Sequence, residues 1–165
     1  MKIKQGCRGM WIALAAALLD RLGKLAAAKL PAGGTKLIPG LINLKPVENR
    51  GIAFSMLSGQ GVALILLTAL VLAAVVVWLL ARPEAPRLTR AGLWLIVGGG
   101  LGNLYDRVTR GAVSDFIDLA FTRFAVFNVA DVCICLGAVL VVLGAWGKEK
   151  GKGIREQGLG NREQE

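Results

Sequence analysis

VALILLTALVLAAVVVWLL, residues 62–80, contains no charge, and the charge-free stretch around it runs from Arg50 to Arg82. A helix of about 20 apolar residues is long enough to cross the hydrocarbon of a bilayer. The whole chain has the same character. Its 165 residues are 55% hydrophobic and its mean hydropathy is +0.58, an apolar load that soluble domains of this size rarely carry. The chain is therefore read as a membrane protein.

Working outward, three further stretches qualify. The predicted spans are 10–29, 62–80, 91–107 and 126–146. The first is interrupted by Asp20, Arg21 and Lys24. It is too polar in its second half for a cleavable signal peptide and is read as retained. The basic residues of the N-terminus (Lys2, Lys4, Arg8), of the 2–3 loop (Arg82, Arg87, Arg90) and of the tail (Lys148, Lys150, Lys152, Arg155, Arg162) form one set. The positive-inside rule makes that set, and with it both termini, cytoplasmic. Trp11, Trp78, Trp94 and Trp146 all fall at the same ends of the spans, where an interfacial belt is expected. The domain reading is one polytopic unit over 1–147 and a polar cytoplasmic tail over 148–165.

Three cysteines and no histidine are present. Cys133 and Cys135 sit in an apolar run and Cys7 near the start, so inert packing is expected rather than a disulfide framework. Without histidine no metal site is expected. The net charge of +9 follows the loops, so nucleic acid is not expected as a partner.

Helical rise gives each polar group a depth. Counted from the tryptophan belt, Asp20 and Asn103 lie about 14 Å up, Lys24 and Arg107 about 20 Å, and Asp131 about 22 Å. Three spans thus place polar groups in the outer half of the bilayer, where groups at matched depth lower each other's burial cost by facing one another.

Two outward loops remain. Residues 33–57, GGTKLIPGLINLKPVENRGIAFSML, hold short apolar pieces broken at Pro39-Gly40 and Pro46, which predicts short strands with turns, resting on the membrane. In residues 111–124, GAVSDFIDLAFTRF, the positions Phe116, Ile117, Ala120, Phe121 and Phe124 follow a helical face, with Asp115, Asp118 and Thr122 opposite. That predicts a short interfacial helix.

Asp115 and Asp131 are the first candidates for chemistry. Two carboxylates held close share a proton, and such a pair acts as general base and general acid on water and a carbonyl. The alternative is structural: Asp115 caps a helix, Asp131 pairs with Arg107 or Lys24, and Asp106 takes the charge of Arg107 or Arg110. In GGGLGNLYDR, residues 98–107, close helix packing accounts for the glycines. Asn103 and Arg107 share a helix face and either hold substrate or pair with Asp20. In DRLGK, residues 20–24, an Asp20–Lys24 ion pair is the first reading. Asn49, before the second span, is read as a turn residue or as a donor to a ligand backbone.

The ordered blocks DRLGK, NRGIAFS, GGGLGNLYDR, AVSDFID and FNVAD resemble lipoprotein signal peptidase, also called signal peptidase II. The resemblance covers residues 20–144. It implies a four-helix bacterial inner-membrane aspartic endopeptidase that cuts the signal peptide from prolipoproteins just before their diacylglyceryl cysteine. By motif it implies Asp115 and Asp131 as catalytic, and Asp20, Lys24, Asn49, Asn103, Asp106, Arg107, Asn128 and Ala130 as substrate-binding or supporting. It implies a β-cradle from the 1–2 loop and a gating periplasmic helix from the 3–4 segment. The chain departs from the pattern at Arg21, where many members carry glutamine, and at Ser114, where a second valine is common.

The expected fold is therefore an all-α membrane protein of four transmembrane helices with a small extracytoplasmic β-cradle and a short interfacial helix. It is expected as a monomer in contact with membrane lipids, with its active site at the outer leaflet and no cofactor. The rival readings are a small transporter, with Asp20, Lys24, Arg107 and Asp131 as an ion path, and an assembly subunit with buried ion pairs. Transport predicts polar groups through the inner half as well, and the second span has none.

Overall fold

A computed structural model describes residues 7–51 and 61–160. Within them lie helices α1 (Met10–Ala27), α2 (Gly61–Ala81), α3 (Arg87–Arg110) and α4 (Val129–Gly160). Strands β1 (Thr35–Ile38) and β2 (Ile42–Asn49) separate α1 from α2, and β3 (Val113–Leu119) separates α3 from α4. Residues 52–60, which include Ala53 and Phe54 of the NRGIAFS block, lie outside the described residues, as do Lys2, Lys4 and Arg162.

Helix α3 is central and touches the other three. Its glycines make this possible. Successive helix residues point about 100° apart, so Gly98, Gly99 and Gly100 face three directions. A Cβ at Gly98 would strike the backbone of Ala13 on α1, one at Gly99 the carbonyl of Ala130 on α4, and one at Gly100 the Leu72 side chain on α2. Lower down, Gly92 and Gly137 bring α3 and α4 together backbone to backbone. In lipid, helices associate through such close packing because no hydrophobic force drives them together. Ala13, Leu79, Trp94 and Val97 form a small buried cluster beside them.

Helices α2 and α4 (over Val129–Gly147) are long and apolar enough to cross a membrane. Helix α1 buries Asp20 and Lys24 and exposes Leu14, Leu18, Leu22 and Leu25. Large exposed apolar stripes are foreign to soluble monomers. Trp11, Trp78 and Trp146 are exposed as a belt requires, but Trp94 is not. It is buried in the bundle, and its indole N–H donates to the Arg8 carbonyl at 3.1 Å.

The small β-cradle expected beside the helices is present as a three-stranded antiparallel sheet in the order β1-β2-β3, so the described residues are mostly helical with one sheet. Strands β1 and β2 form the anticipated hairpin. Pro39 and Gly40 occupy its turn, which is closed by Leu41 N–H on the Ile38 carbonyl at 3.0 Å. Gly40 has φ 76°, the left-handed value that a type II turn demands at its third position. The 3–4 segment is a correction. The predicted interfacial helix over 111–124 is strand β3, paired with β2 through Leu44↔Ile117, Val47↔Asp115 and Asn49↔Val113. The ladder is irregular between Leu44 and Val47, where Pro46 has no N–H to give. In a strand, neighbouring side chains point to opposite faces. Asp118 therefore leaves the side of Asp115 and accepts from Asn43 at 2.9 Å.

The glycines of α3 differ in what they meet. Gly98→Ala should lower stability in detergent by about 1–3 kcal/mol, because backbone must move. Gly100→Ala should cost less, because it meets only the flexible end of Leu72. Thermal unfolding of both variants decides this, and equal losses would contradict backbone contact as the cause.

Candidate functional site

Lys24 is the fixed point of the polar cluster. Its ammonium has three protons and no acceptor. It meets three oxygens: Asp20 Oδ2 at 2.8 Å and Asp106 Oδ2 at 2.9 Å, and Asn103 Oδ1 at 2.9 Å. Its side chain is 1% exposed. The Asp20–Lys24 pair read from the sequence is therefore present, and Asp106 joins it from α3. Arg21 reaches the other oxygen of Asp106 at 3.3 Å and lies over the Tyr105 ring, 4.9 Å from its centroid. The expected pairing of Asp106 with Arg107 or Arg110 is replaced by these two cations of α1. Arg110 instead donates to Ser114 Oγ at 3.1 Å.

Each acidic member also holds another element by its backbone. Asp20 accepts the Ala130 N–H at 2.9 Å. Asp106 accepts the Ser114 N–H at 3.3 Å, which docks β3 on α3 one residue before Asp115. Arg107 donates to the Gly51 carbonyl at 3.0 Å and so holds the exit of β2. The Gly51 N–H in turn donates to Asn49 Oδ1 at 3.0 Å.

Asn128 stands at the junction. Phe127 bridges to Ile117 through Ile117 N–H at 2.8 Å and its own N–H at 3.0 Å, so the chain enters α4 alongside β3. Asn128 and Asp131 then cap α4 reciprocally. Asp131 N–H donates to Asn128 Oδ1 at 3.0 Å, and Asn128 N–H donates to Asp131 Oδ2 at 3.2 Å. This is capping-box geometry with Asn and Asp in the two roles.

The amides now have no freedom of orientation. Lys24 can only donate, so Asn103 must turn its oxygen to Lys24 and its nitrogen outward. That nitrogen donates to Asp131 Oδ1 at 2.8 Å. Asn128 spends its oxygen on a backbone N–H, so its nitrogen faces Asp115 Oδ1, 2.6 Å away, and Asn103 Oδ1, 3.1 Å away. Asn49 donates to Asp115 Oδ2 at 3.1 Å. Both carboxylates thus receive a donor on each oxygen, and Asn128 touches both residues.

Asp115 is 4% exposed. Burial pushes it from an ordinary 3.8 up to about 6, with the nearby Asp131 charge adding to the rise, against the Asn49 and Asn128 donors. Among the described residues no group of three or more His, Cys, Asp or Glu is arranged to hold a metal ion.

All ten residues singled out from the sequence fall in or beside this cluster. The matched depths are partly corrected. Lys24, not Asp20, meets Asn103, and Arg107 turns to the β2 exit. Arg21, the Ser114 N–H and the Gly51 carbonyl were not anticipated as members. The two backbone groups leave no trace in residue type.

The family model for signal peptidase (SPase) II matches residues 12–146. The chain belongs to the signal peptidase II family. The lipoprotein signal peptidase of Aeromonas hydrophila is 38% identical over 160 residues, covering 92% of this chain and 95% of that protein. That of Streptococcus thermophilus is 40% identical over 116 residues, covering 70% of this chain and 76% of its own. A bacterial membrane enzyme solved by the in meso method at 2.3 Å resolution superimposes with a TM-score of 0.80 at 26% identity, covering 88% of this chain and 91% of the other. Signal peptidase II is a peptidase family, and the apolar helices agree with a membrane protein.

Two outcomes follow for this signal peptidase II family member. Lys24→Met leaves the buried Asp20 without its cation and Asp106 with Arg21 alone, and should cost about 3–5 kcal/mol. Arg21→Gln removes a cation whose own side chain is 32% exposed and leaves Asp106 its Lys24 partner, so it should cost about 0–1 kcal/mol. Denaturation in detergent compares them, and equal losses would count against Lys24 as the anchor. Asp115 binds its proton more tightly folded than unfolded, so its contribution to stability is full below 3.8 and lost as pH rises through about 6. The wild-type unfolding midpoint should therefore fall relative to that of Asp115→Asn across that window. Parallel curves would show that the carboxyl is not shifted.

Proposed function

We propose that this chain is an aspartic endopeptidase that removes the signal peptide from diacylglyceryl-modified prolipoproteins, cutting before the lipidated cysteine. One observation carries the reading: Asn128 donates from its side chain to Asp115 and from its backbone to Asp131, so a single residue holds both carboxyl groups at one place. The printed name of the relatives, lipoprotein signal peptidase, supports the substrate class. Nothing in the family favours the transporter or the assembly subunit.

In this reading Asp131 is ionised and Asp115 carries the proton. Asp131 takes a proton from water as the oxygen bonds to the scissile carbonyl carbon, and Asp115 gives its proton to the carbonyl oxygen. The tetrahedral intermediate then breaks its C–N bond: the proton on Asp131 passes to the departing amine of the cysteine, and a hydroxyl of the intermediate returns its proton to Asp115 as the carbonyl re-forms. Asn103 and Asn128 hold the pair, while Asp20, Lys24, Asp106 and Ala130 fix the helices that carry it. Asn49 and Arg107 hold the β2 exit beside the scissile bond.

Four spans, both termini in the cytoplasm and a site at the outer leaflet of the bacterial inner membrane complete the proposal. Helices α1 and α3 join α2 and α4 as spans because Asp20, Lys24 and Asp106 turn inward, the exposed Arg87 and Arg110 stand at the two ends of α3, and α1 exposes leucines. The unit over 1–147 works as a monomer among lipids, with the sheet at the outer surface and the polar tail inside.

The test is incubation of purified protein with a diacylglyceryl prolipoprotein, reading the mass of the released signal peptide. Asp115→Asn and Asp131→Asn should each lose at least about 100-fold in rate, the scale of acid–base catalysis, while still inserting in the membrane. Wild-type turnover by either variant would refute the pair.

A further inference from the structure

We propose a second site, for the phosphate of an anionic phospholipid, at the opposite end of the bundle from the aspartates. A cavity of about 550 Å³ opens there between the N-terminal turn and the α2–α3 connection, lined among others by Arg8, Glu84, Arg87, Arg90 and Trp94, with Ile12 beneath. Its volume is in the range of small-molecule sites, roughly 300–1,000 Å³. Arg90 lies sixteen residues before Asp106 on α3, about 24 Å by helical rise, so this cavity is separate from the carboxylate cluster.

Its walls are pinned. Arg90 is 7% exposed. Its guanidinium donates to the Leu79 and Arg82 carbonyls at 3.3 Å each and to the Arg8 carbonyl at 3.0 Å. The Trp94 indole donates to that same Arg8 carbonyl. Both wall segments are therefore tied to one buried side chain, and Pro83 and Pro86 stiffen the connection further. Gly9, with φ 98°, lets the N-terminal turn lie against Trp94, 2.8 Å from where a Cβ would sit.

The chemistry of the lining selects the ligand. Arg8 and Arg87 are exposed at the mouth and outnumber Glu84. A guanidinium fork matches phosphate oxygens in pairs. The floor, with Ile12 and Ala91, is apolar and suits the glycerol and first methylenes of a lipid better than a free ion. The height agrees. Exposed Trp11 and Trp78 lie within a few residues of the lining, and exposed indoles mark the headgroup level. Phosphatidylcholine offers the same phosphate with a compensating cation, so net positive lining favours phosphatidylglycerol. This site is independent of the peptidase reading.

The experiment uses the full chain in detergent, supplied with phosphatidylglycerol, phosphatidylcholine or inorganic phosphate, and counts retained lipid by native mass spectrometry. The wild type should retain phosphatidylglycerol in preference to phosphatidylcholine. Retention should fall roughly tenfold or more in R8Q/R87Q and stay unchanged in Arg123→Gln, an exposed arginine outside the cavity. Arg87→Gln alone, an exposed position, should give a smaller loss and serves if the double variant does not fold. Equal retention by wild type and arginine variants, or equal retention of the two lipids, overturns the proposal. So does displacement of phosphatidylglycerol by millimolar inorganic phosphate, which would assign the cavity to a free anion.

Discussion

An ammonium group enclosed by protein must find an acceptor for every proton, and Lys24 finds three on two helices. Burying ions costs several kcal/mol each unless charge and hydrogen bonds are both satisfied. Here Lys24 and Arg21 balance Asp20 and Asp106, so the cluster is neutral as a whole. The second oxygen of Asp20 and the shared oxygen of Asp106 then hold backbone N–H groups of α4 and of the strand before Asp115. One lysine thereby couples α1, α3, β3 and α4. Its effect extends further, because a donor-only neighbour dictates which way the amide of Asn103 turns.

The glycine-rich centre of α3 and this cluster depend on each other. Gly102 leaves room for the Asp20 carboxylate, which a Cβ there would strike. Without that space Asp20 could not lie between α1 and the start of α4. Close packing also excludes water, and in a drier site each hydrogen bond is stronger and each missing one more costly. In lipid, where apolar contact alone gives helices no preference for one another, the combination of small residues and satisfied polar groups is what selects a single arrangement.

What could be seen in advance divides along the same line. The Asp20–Lys24 pair, the α3 glycines and the 1–2 hairpin were legible because each is local: i, i+4 spacing, small residues in a row, a Pro-Gly turn. Strand β3 was not. Phe116, Ile117, Ala120 and Phe121 fit a helical face, and the force that makes them a strand is pairing with β2, some seventy residues away in the chain, which no local period records. Trp94 was misplaced for a related reason. A tryptophan at a span end suits a lipid interface, but Gly9 opened room beneath it in the bundle. Depth matching brought the right groups to one level, yet rise alone cannot say which faces meet, and Arg107 turned toward Gly51 instead of into the cluster.

Asp131 shows how a carboxylate is tolerated at the mouth of an apolar helix. It occupies the third position of α4, where unpaired N–H groups and the helix dipole favour negative charge, and it satisfies one of those donors itself. Structural cap and chemical candidate are therefore not rival accounts of this residue, since the cap holds the group and leaves it half-buried. Asp115 has a different setting. It sits on a strand, almost fully enclosed, and accepts on both oxygens from the side-chain amides of Asn49 and Asn128. A pair of identical carboxyl groups can divide acid and base work only if their surroundings differ. In this fold the difference arises because one is carried by a helix start and the other by a strand, with Asn128 between them.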